Sequence, residues 1–209
     1  MRAMILSAGR GERMRPLTDT LPKPLLEVKE KPLIVYHIEK LARNGFKTIV
    51  INIAHLGQQI IDSLGDGSAW GVAIIYSDER ESGALESAGG IIKALPYLGE
   101  QFLVVNADVW CEIEYDAKYN LGGFLAHLIL VPNPDHNPSG DFFYNDAKYT
   151  FSGIGYYDAK MFVGIGVKKQ ALAPILRKKI SQERISFELY RGVWRDIGTP
   201  QRLHELNKS

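Results

Sequence analysis

The residues best suited to chemistry crowd into one early stretch. From Gly9 to Pro24 the chain reads GRGERMRPLTDTLPKP, which sets Arg10, Arg13, Arg15 and Lys23 around two glycines and among prolines. Glycines leave backbone N–H groups free to turn inward, and guanidinium and ammonium groups beside them suit several phosphates held together, a triphosphate above all. A solvated basic turn has the same composition. Pro22 and Pro24 each fix φ and remove a donor, so Lys23 is expected on a stiff, extended arm. Two phosphate-binding patterns fail here. G-x-G-x-x-G meets Met14 at its third glycine, and strand two closes on NIAH without an acid; G-x-x-x-x-G-K-[ST] also meets Met14, with no Gly-Lys pair nearby.

Far along the chain, Asp108 closes the apolar run FLVVNAD, and Asp196 closes VWRD just before a helix. Both positions face the sheet edge from which the glycine loop leaves, although either aspartate could simply cap a turn. A bound triphosphate needs its charge managed by a metal, and Mg²⁺ takes carboxylate, phosphate and water oxygens. Asn106 shares the strand face of Asp108. Asp141 in SGDF could accept hydrogen bonds from sugar hydroxyls or an amide, or serve as a turn residue. Gly153 and Gly155 in FSGIGYY allow close backbone approach, or mark a bulge.

These residues need a frame, and the chain offers one. Strand-like AMILSA (3–8), TIVINIA (48–54) and VAIIYS (72–77) alternate with helix-like PLIVYHIEKLARNG (32–45), LGQQIIDSLG (56–65) and SAGGIIKALPYL (87–98). Apolar FLVVNADV (102–109) and AHLILV (126–131) suit strands buried on both faces. The expected fold is α/β, doubly wound on a mostly parallel sheet. A small β excursion is expected near 133–157, with a hairpin turning near Asn145-Asp146. Helix QALAPILRKKI (170–180), strand VWRDIG (193–198) and helix TPQRLHELN (199–207), capped by Thr199 with Pro200 in its first turn, complete it. Without repeats or linkers, residues 1–209 are expected to form one domain.

Composition closes several classes. Against 25 Lys and Arg stand 24 Asp and Glu, so no global field draws nucleic acid or an anionic membrane. No run approaches the roughly 20 apolar residues of a membrane span, and the N-terminal run is too short for a signal. Cys111 is the only cysteine, which excludes an internal disulfide and fits a reducing, cytoplasmic setting. His37, His55, His127, His136 and His204 show no metal-ligand spacing and are expected in structural or surface roles. Ser7 lies in no nucleophile elbow and Cys111 has no evident base, so covalent catalysis has no support.

GRGERMRPLTDTLPKPLLEV resembles the signature of the sugar-1-phosphate nucleotidyltransferases, G-x-G-[TE]-R-[ML]-x-P-L-T followed by P-K-P-[LM]. The likeness continues in LESAGGI (85–91), VNADV (105–109), SGDF (139–142), FSGIGYY (151–157) and VWRDIGTPQRL (193–203), nearly the whole chain. It implies a Rossmann-like nucleotidyltransferase fold, with Mg²⁺ held by Asp108 and Asp196. Arg13 and Lys23 would be catalytic, Arg13 on the leaving pyrophosphate and Lys23 on the α-phosphate and incoming sugar phosphate. Nucleotide contacts would come from Ala8, Gly9, Gly11, Glu12, Arg13, Lys23, Gly89, Gly90 and Asn106, and sugar contacts from Asp141 and Gly153. The resemblance is nearest to short bacterial members that transfer a uridylyl group from UTP to N-acetylmuramate 1-phosphate in cell-wall recycling. With no hexapeptide repeat after Asp196, the core activity alone is expected. A guanylyl or thymidylyl transferase acting on mannose or glucose 1-phosphate is the alternative. A silent nucleotide-sugar-binding regulator is more remote, because Arg13, Lys23 and both aspartates are present. Ala171 stands where a lysine is expected, with Lys168 or Lys169 as substitutes, and this leaves the acceptor open.

Overall fold

The structure, a computed structural model, describes residues 1–208. Strand β1 (Arg2–Leu6) buries Ala3, Met4 and Ile5 completely, the pattern of an interior strand covered on both faces. The long loop after it ends in a small ribbon, β2 (Glu27–Val28) with β3 (Lys31–Pro32). Helix α1 (Leu33–Arg43), β4 (Thr48–Ile53), α2 (Gly57–Leu64), β5 (Ala73–Asp78), α3 (Glu86–Leu98) and β6 (Gln101–Asn106) then alternate. β1 pairs parallel with both β4 and β6, and β4 pairs parallel with β5, as strand–helix–strand crossovers require.

The second half completes the sheet less regularly. It runs β7 (Val109–Cys111), β8 (Ala126–Val131), β9 (Phe142–Tyr144), β10 (Ala147–Asp158), α4 (Leu172–Ile180), β11 (Ile185–Leu189), β12 (Trp194–Asp196) and α5 (Pro200–Lys208). The central order is β11-β8-β10-β6-β1-β4-β5, with β9 paired to β10. β10 runs antiparallel to β6 and β8, so the architecture is mixed α/β with a largely parallel central sheet. Alternate residues divide the core. Ile5, Ile49 and Ile51 meet Ile34, Ile38 and Ile60 of α1 and α2; Met4, Val50 and Phe102 meet Ile91, Leu172 and Leu176 of α3 and α4.

Four details depart from the sequence expectations. FLVVNADV is not one strand: a turn at Ala107 and Asp108 separates β6 from β7. The hairpin does turn at Asn145, whose φ is 53°, but its second strand runs on into the middle of the sheet, so only the region before about Thr150 stands clear of it. Burial of every residue from Ser152 to Tyr157 explains this, although SGIGYY lacks an aliphatic run. β12 pairs with β7 in a separate ribbon and not with the central sheet. β11 has no counterpart among the expectations. Helix α5 begins as expected, with Arg202 N–H donating to Thr199 Oγ1 at 3.4 Å. No helix among the described residues is long and apolar enough to cross a membrane.

Candidate active site

The carboxyl edge of the sheet opens into a cavity of about 560 Å³, bordered by the glycine loop, the end of β4, the start of α3 and the β6–β7 turn. Ala8, Gly9, Gly11, Glu12, Arg13 and Lys23 all lie on its wall, together with Arg10. The loop holds its course through Gly11, whose φ is +66° and whose carbonyl accepts from both Met14 N–H and Thr18 Oγ1, each at 2.8 Å. A Cβ at position 11 would fall 2.9 Å from the Thr18 methyl. Met14 is completely buried with Leu26, Val28, Ile197 and Leu206, which fastens the loop to α5 and leaves Arg10 and Arg13 exposed. Arg15 departs from the group: it pairs with Asp19 at 3.1 Å and does not border the cavity.

Lys23 is not on an extended arm. Pro22 is extended, but Lys23–Leu25 form a single 3₁₀ turn, because Leu25 N–H reaches back to the Pro22 carbonyl. The Lys23 side chain is only 13% exposed, and its Nζ donates to Asp108 Oδ2 at 2.7 Å. Asp108 is joined to the other aspartate through the backbone. In the β7–β12 ribbon Asp196 stands opposite Val109, and Ile197 N–H donates to the Asp108 carbonyl at 2.8 Å.

Asp196 is held asymmetrically. Arg202 Nη1 lies 3.1 Å from Oδ2 and His136 Nε2 lies 3.4 Å from it, while Oδ1 is buried without a hydrogen-bond partner. A Cβ at Gly198, which borders the cavity, would sit 2.7 Å from that same Oδ1. A buried, unpartnered carboxylate oxygen is costly unless something positive arrives. The residues therefore fit a hard divalent cation: one oxygen of Asp196 lacks a partner, and Asp108 keeps one oxygen outside its lysine pair. Among the described residues no group of three or more His, Cys, Asp or Glu could hold a metal, so phosphate or water oxygens would have to complete the shell.

A second cavity of about 210 Å³ adjoins the first, and Leu6, Ser87 and Asn106 border both. Its wall includes Asp141, Gly153, Phe142, Phe151, Tyr157 and, from α4, Arg177. Asp141 Oδ2 accepts from Phe151 N–H at 2.8 Å, so one oxygen fixes the hairpin and the other is left over. Gly153, with φ +80°, sits in the bulge between Phe151 and Ile154; a Cβ there would fall 2.6 Å from the Asn106 amide. Its openness serves Asn106.

Gly89 and Gly90 do not border either cavity. They lie inside α3, where a Cβ would meet the Lys168 carbonyl at 2.2 Å or the Asn52 and Glu79 side chains at 2.8 Å. Both glycines admit close packing, and the cavity wall nearby is Ala84, Glu86 and Ser87. Lys169 reaches the wall, whereas Lys168 does not.

Sequence reasoning misses three residues. His136 reaches Asp196 from the 133–141 loop, although it shows no ligand spacing. Arg177 hides in a basic helix end, and Arg202 in an ordinary helix start. Burial pushes the Cys111 thiol up, away from thiolate.

The family model described as nucleotidyl transferase matches residues 2–122. The N-acetylmuramate alpha-1-phosphate uridylyltransferase of Neisseria meningitidis is 53% identical, over 98% of this chain and 96% of its own. The protein of that name from Caulobacter vibrioides is 31% identical, over 95% of this chain and 92% of its own. A Bacillus anthracis structure described as a glucose-1-phosphate thymidylyltransferase superposes with a TM-score of 0.89 over 100% of this chain and 94% of its own. Its 21% identity shows the shared fold alone. A family match over more than half of the chain, and relatives alike over nearly all of it, establish that this chain belongs to the nucleotidyl transferase family.

Proposed function

We propose that residues 1–209 act as one cytoplasmic unit that transfers UMP from UTP to N-acetylmuramate α-1-phosphate, with release of pyrophosphate. The observation that carries this reading is the junction of Lys23, Asp108 and Asp196 under a glycine loop, in a chain so similar to the Neisseria uridylyltransferase. An oxygen of the sugar phosphate attacks the α-phosphorus of UTP in line, a new P–O bond forms, and the bond to the β-phosphate breaks. No general base is needed, because a phosphate monoester is already anionic at neutral pH. The task is to hold two anions together and to offset charge on the transferring group.

Arg10, Arg13 and backbone N–H groups from Gly9 to Glu12 receive the β- and γ-phosphates, and Arg13 stays with them as pyrophosphate leaves. Lys23 exchanges Asp108 for the α-phosphate and the incoming sugar phosphate. Asp108 and the unpartnered Oδ1 of Asp196 would hold Mg²⁺, which would supply neutralisation of the phosphate charge. The base lies toward Ala84 and Ser87, beyond which Gly89 and Gly90 let α3 approach. Asn106 stands between the two cavities and touches both substrates.

The second cavity takes the sugar. Asp141 Oδ1 receives a hydroxyl or amide proton, and the aromatic wall receives methyl groups. Among the described residues Arg177 is the only cation on that wall. N-acetylmuramate carries a carboxylate, which glucose, mannose and N-acetylglucosamine lack, and a guanidinium is the natural group to meet it.

Incubation with UTP, Mg²⁺ and N-acetylmuramate α-1-phosphate should yield UDP-N-acetylmuramate and one equivalent of pyrophosphate, read by mass spectrometry and a phosphate assay. Unchanged substrates would overturn the reading.

A further inference from the structure

Beneath the phosphate cavity runs a buried chain of hydrogen bonds that phosphate binding leaves unexplained. Ser7 N–H donates to Asn52 Oδ1 at 2.8 Å, and the Ser7 hydroxyl donates to the Asn52 carbonyl. Asn52 Nδ2 donates to Glu79 Oε1 at 2.7 Å, and Glu79 Oε2 accepts the Leu85 N–H at 2.8 Å. Glu79 is 0% exposed and Asn52 2%. Burying a carboxylate is costly unless its oxygens are hydrogen-bonded, and here donors from two separate segments supply those bonds.

The path joins four elements at the carboxyl edge of the sheet. Ser7 leaves β1, Asn52 lies near the end of β4, Glu79 follows β5, and Leu85 precedes α3. Ser7 and Asn52 border the cavity on one side; Ala84, Glu86 and Ser87 border it on the other. Gly90 is part of the same arrangement, because a Cβ there would sit 2.8 Å from both Asn52 Nδ2 and Glu79 Oε1. The helix comes this near only because position 90 has no side chain.

We infer that Asn52 and Glu79 form a positioning pair for the donor nucleotide, and that the one-way order of their hydrogen bonds sets the gap between the glycine loop and the start of α3. The order is forced. Ser7 N–H takes Asn52 Oδ1, so Nδ2 must face residue 79; Leu85 N–H takes Glu79 Oε2, so residue 79 must accept at both ends. Glutamine at 79 would turn its NH₂ toward another donor, and aspartate at 52 would set carboxylate against carboxylate. Together, Asn52→Asp and Glu79→Gln reverse only the central bond. Asp at 52 then accepts from Ser7 and from the Gln amide, while the Gln carbonyl accepts from Leu85. Every bond and the net charge are kept.

The inference rests on the reading of the larger cavity as the donor site, and wild-type turnover tests that reading separately. kcat and both KM values should be measured for wild type, E79Q, N52D and the double variant, with the UTP dissociation constant from calorimetry as a readout that needs no turnover. E79Q should raise the UTP KM and dissociation constant by roughly tenfold or more, leaving kcat within about threefold and the sugar-phosphate KM within about twofold. The double variant should return both UTP constants to within about threefold of wild type. Gly90→Ala should shift the same constants as E79Q. Where a single variant does not fold, the double variant against wild type decides alone. Wild-type UTP constants in E79Q, a double variant as weak as the single ones, or a double variant that fails to fold by circular dichroism would each overturn the inference. So would a fall in kcat with unchanged UTP constants.

Discussion

The two adjoining cavities are built on different principles. The larger draws half of its wall from one short segment, the loop from Ser7 to Pro24, which brings Arg10, Arg13 and Lys23 to it. The smaller gathers its wall from β1, α3, β6, the β9–β10 hairpin and α4, and lines it with aromatic rings, one aspartate and one arginine. A triphosphate presents the same charge pattern wherever it binds, so a local motif suffices for it. A sugar differs from its rivals by one substituent, and discrimination needs groups placed around it from several directions. The comparison predicts that damage to the first cavity lowers rate with every acceptor, whereas damage to the second alters the choice among acceptors.

The largest effect should come from Asp108→Asn or Asp196→Asn, which keep shape and remove charge. Each should lower kcat by roughly a hundredfold or more with every acceptor, and calorimetry should show weakened Mn²⁺ binding in the presence of UTP. Near-normal turnover in either variant would remove the metal from these residues. Lys23→Met comes next. One charge-assisted contact is worth about 1.5–3 kcal/mol, so the rate should fall by about ten- to a hundredfold, again regardless of acceptor. Arg177→Met should act on the other side: the kcat/KM ratio of N-acetylmuramate over N-acetylglucosamine 1-phosphate should fall by roughly tenfold. Equal losses with both acceptors would break the comparison.

The last effect falls on folding stability and not on turnover. His37 is buried beneath β7, and burial, assisted by Lys40, lowers its pKa to about 4 from the usual 6.5. Between those values the unfolded chain binds a proton that the folded protein refuses, so this contribution to stability is present above about pH 6.5 and is lost progressively on acidification toward pH 4. The loss should reach about 3 kcal/mol, measurable as a urea midpoint against pH. His37→Gln should flatten that part of the profile, and an unchanged profile would contradict it.

What the sequence disclosed follows the same division. The glycine loop was legible because its residues lie within sixteen positions and act through composition, and ten of the eleven expected strands and helices fall within two residues of their observed bounds. Asp196 was legible as a strand-end carboxylate; Asp108 lies instead in the turn after β6, and its backbone link to Ile197 was not legible, because pairing between residues so far apart leaves no local trace. Gly89 and Gly90 read as nucleotide contacts, yet a glycine that admits a neighbour's side chain and one that admits a ligand look alike in sequence. Arg177 was masked by Lys178 and Lys179, since three cations at a helix C-terminus are explained by the helix dipole. β10 was half hidden because glycine and tyrosine fill a buried central strand where aliphatic residues are the usual sign.

The central claim is that one cavity takes a triphosphate while the other selects an acidic sugar, and a single competition tests it. Equimolar ATP, GTP, UTP and dTTP, mixed with the 1-phosphates of N-acetylmuramate, N-acetylglucosamine, glucose and mannose, should yield UDP-N-acetylmuramate as the dominant product by mass spectrometry. A dominant nucleotide sugar that lacks a carboxylate on its sugar, such as GDP-mannose or dTDP-glucose, would contradict the account.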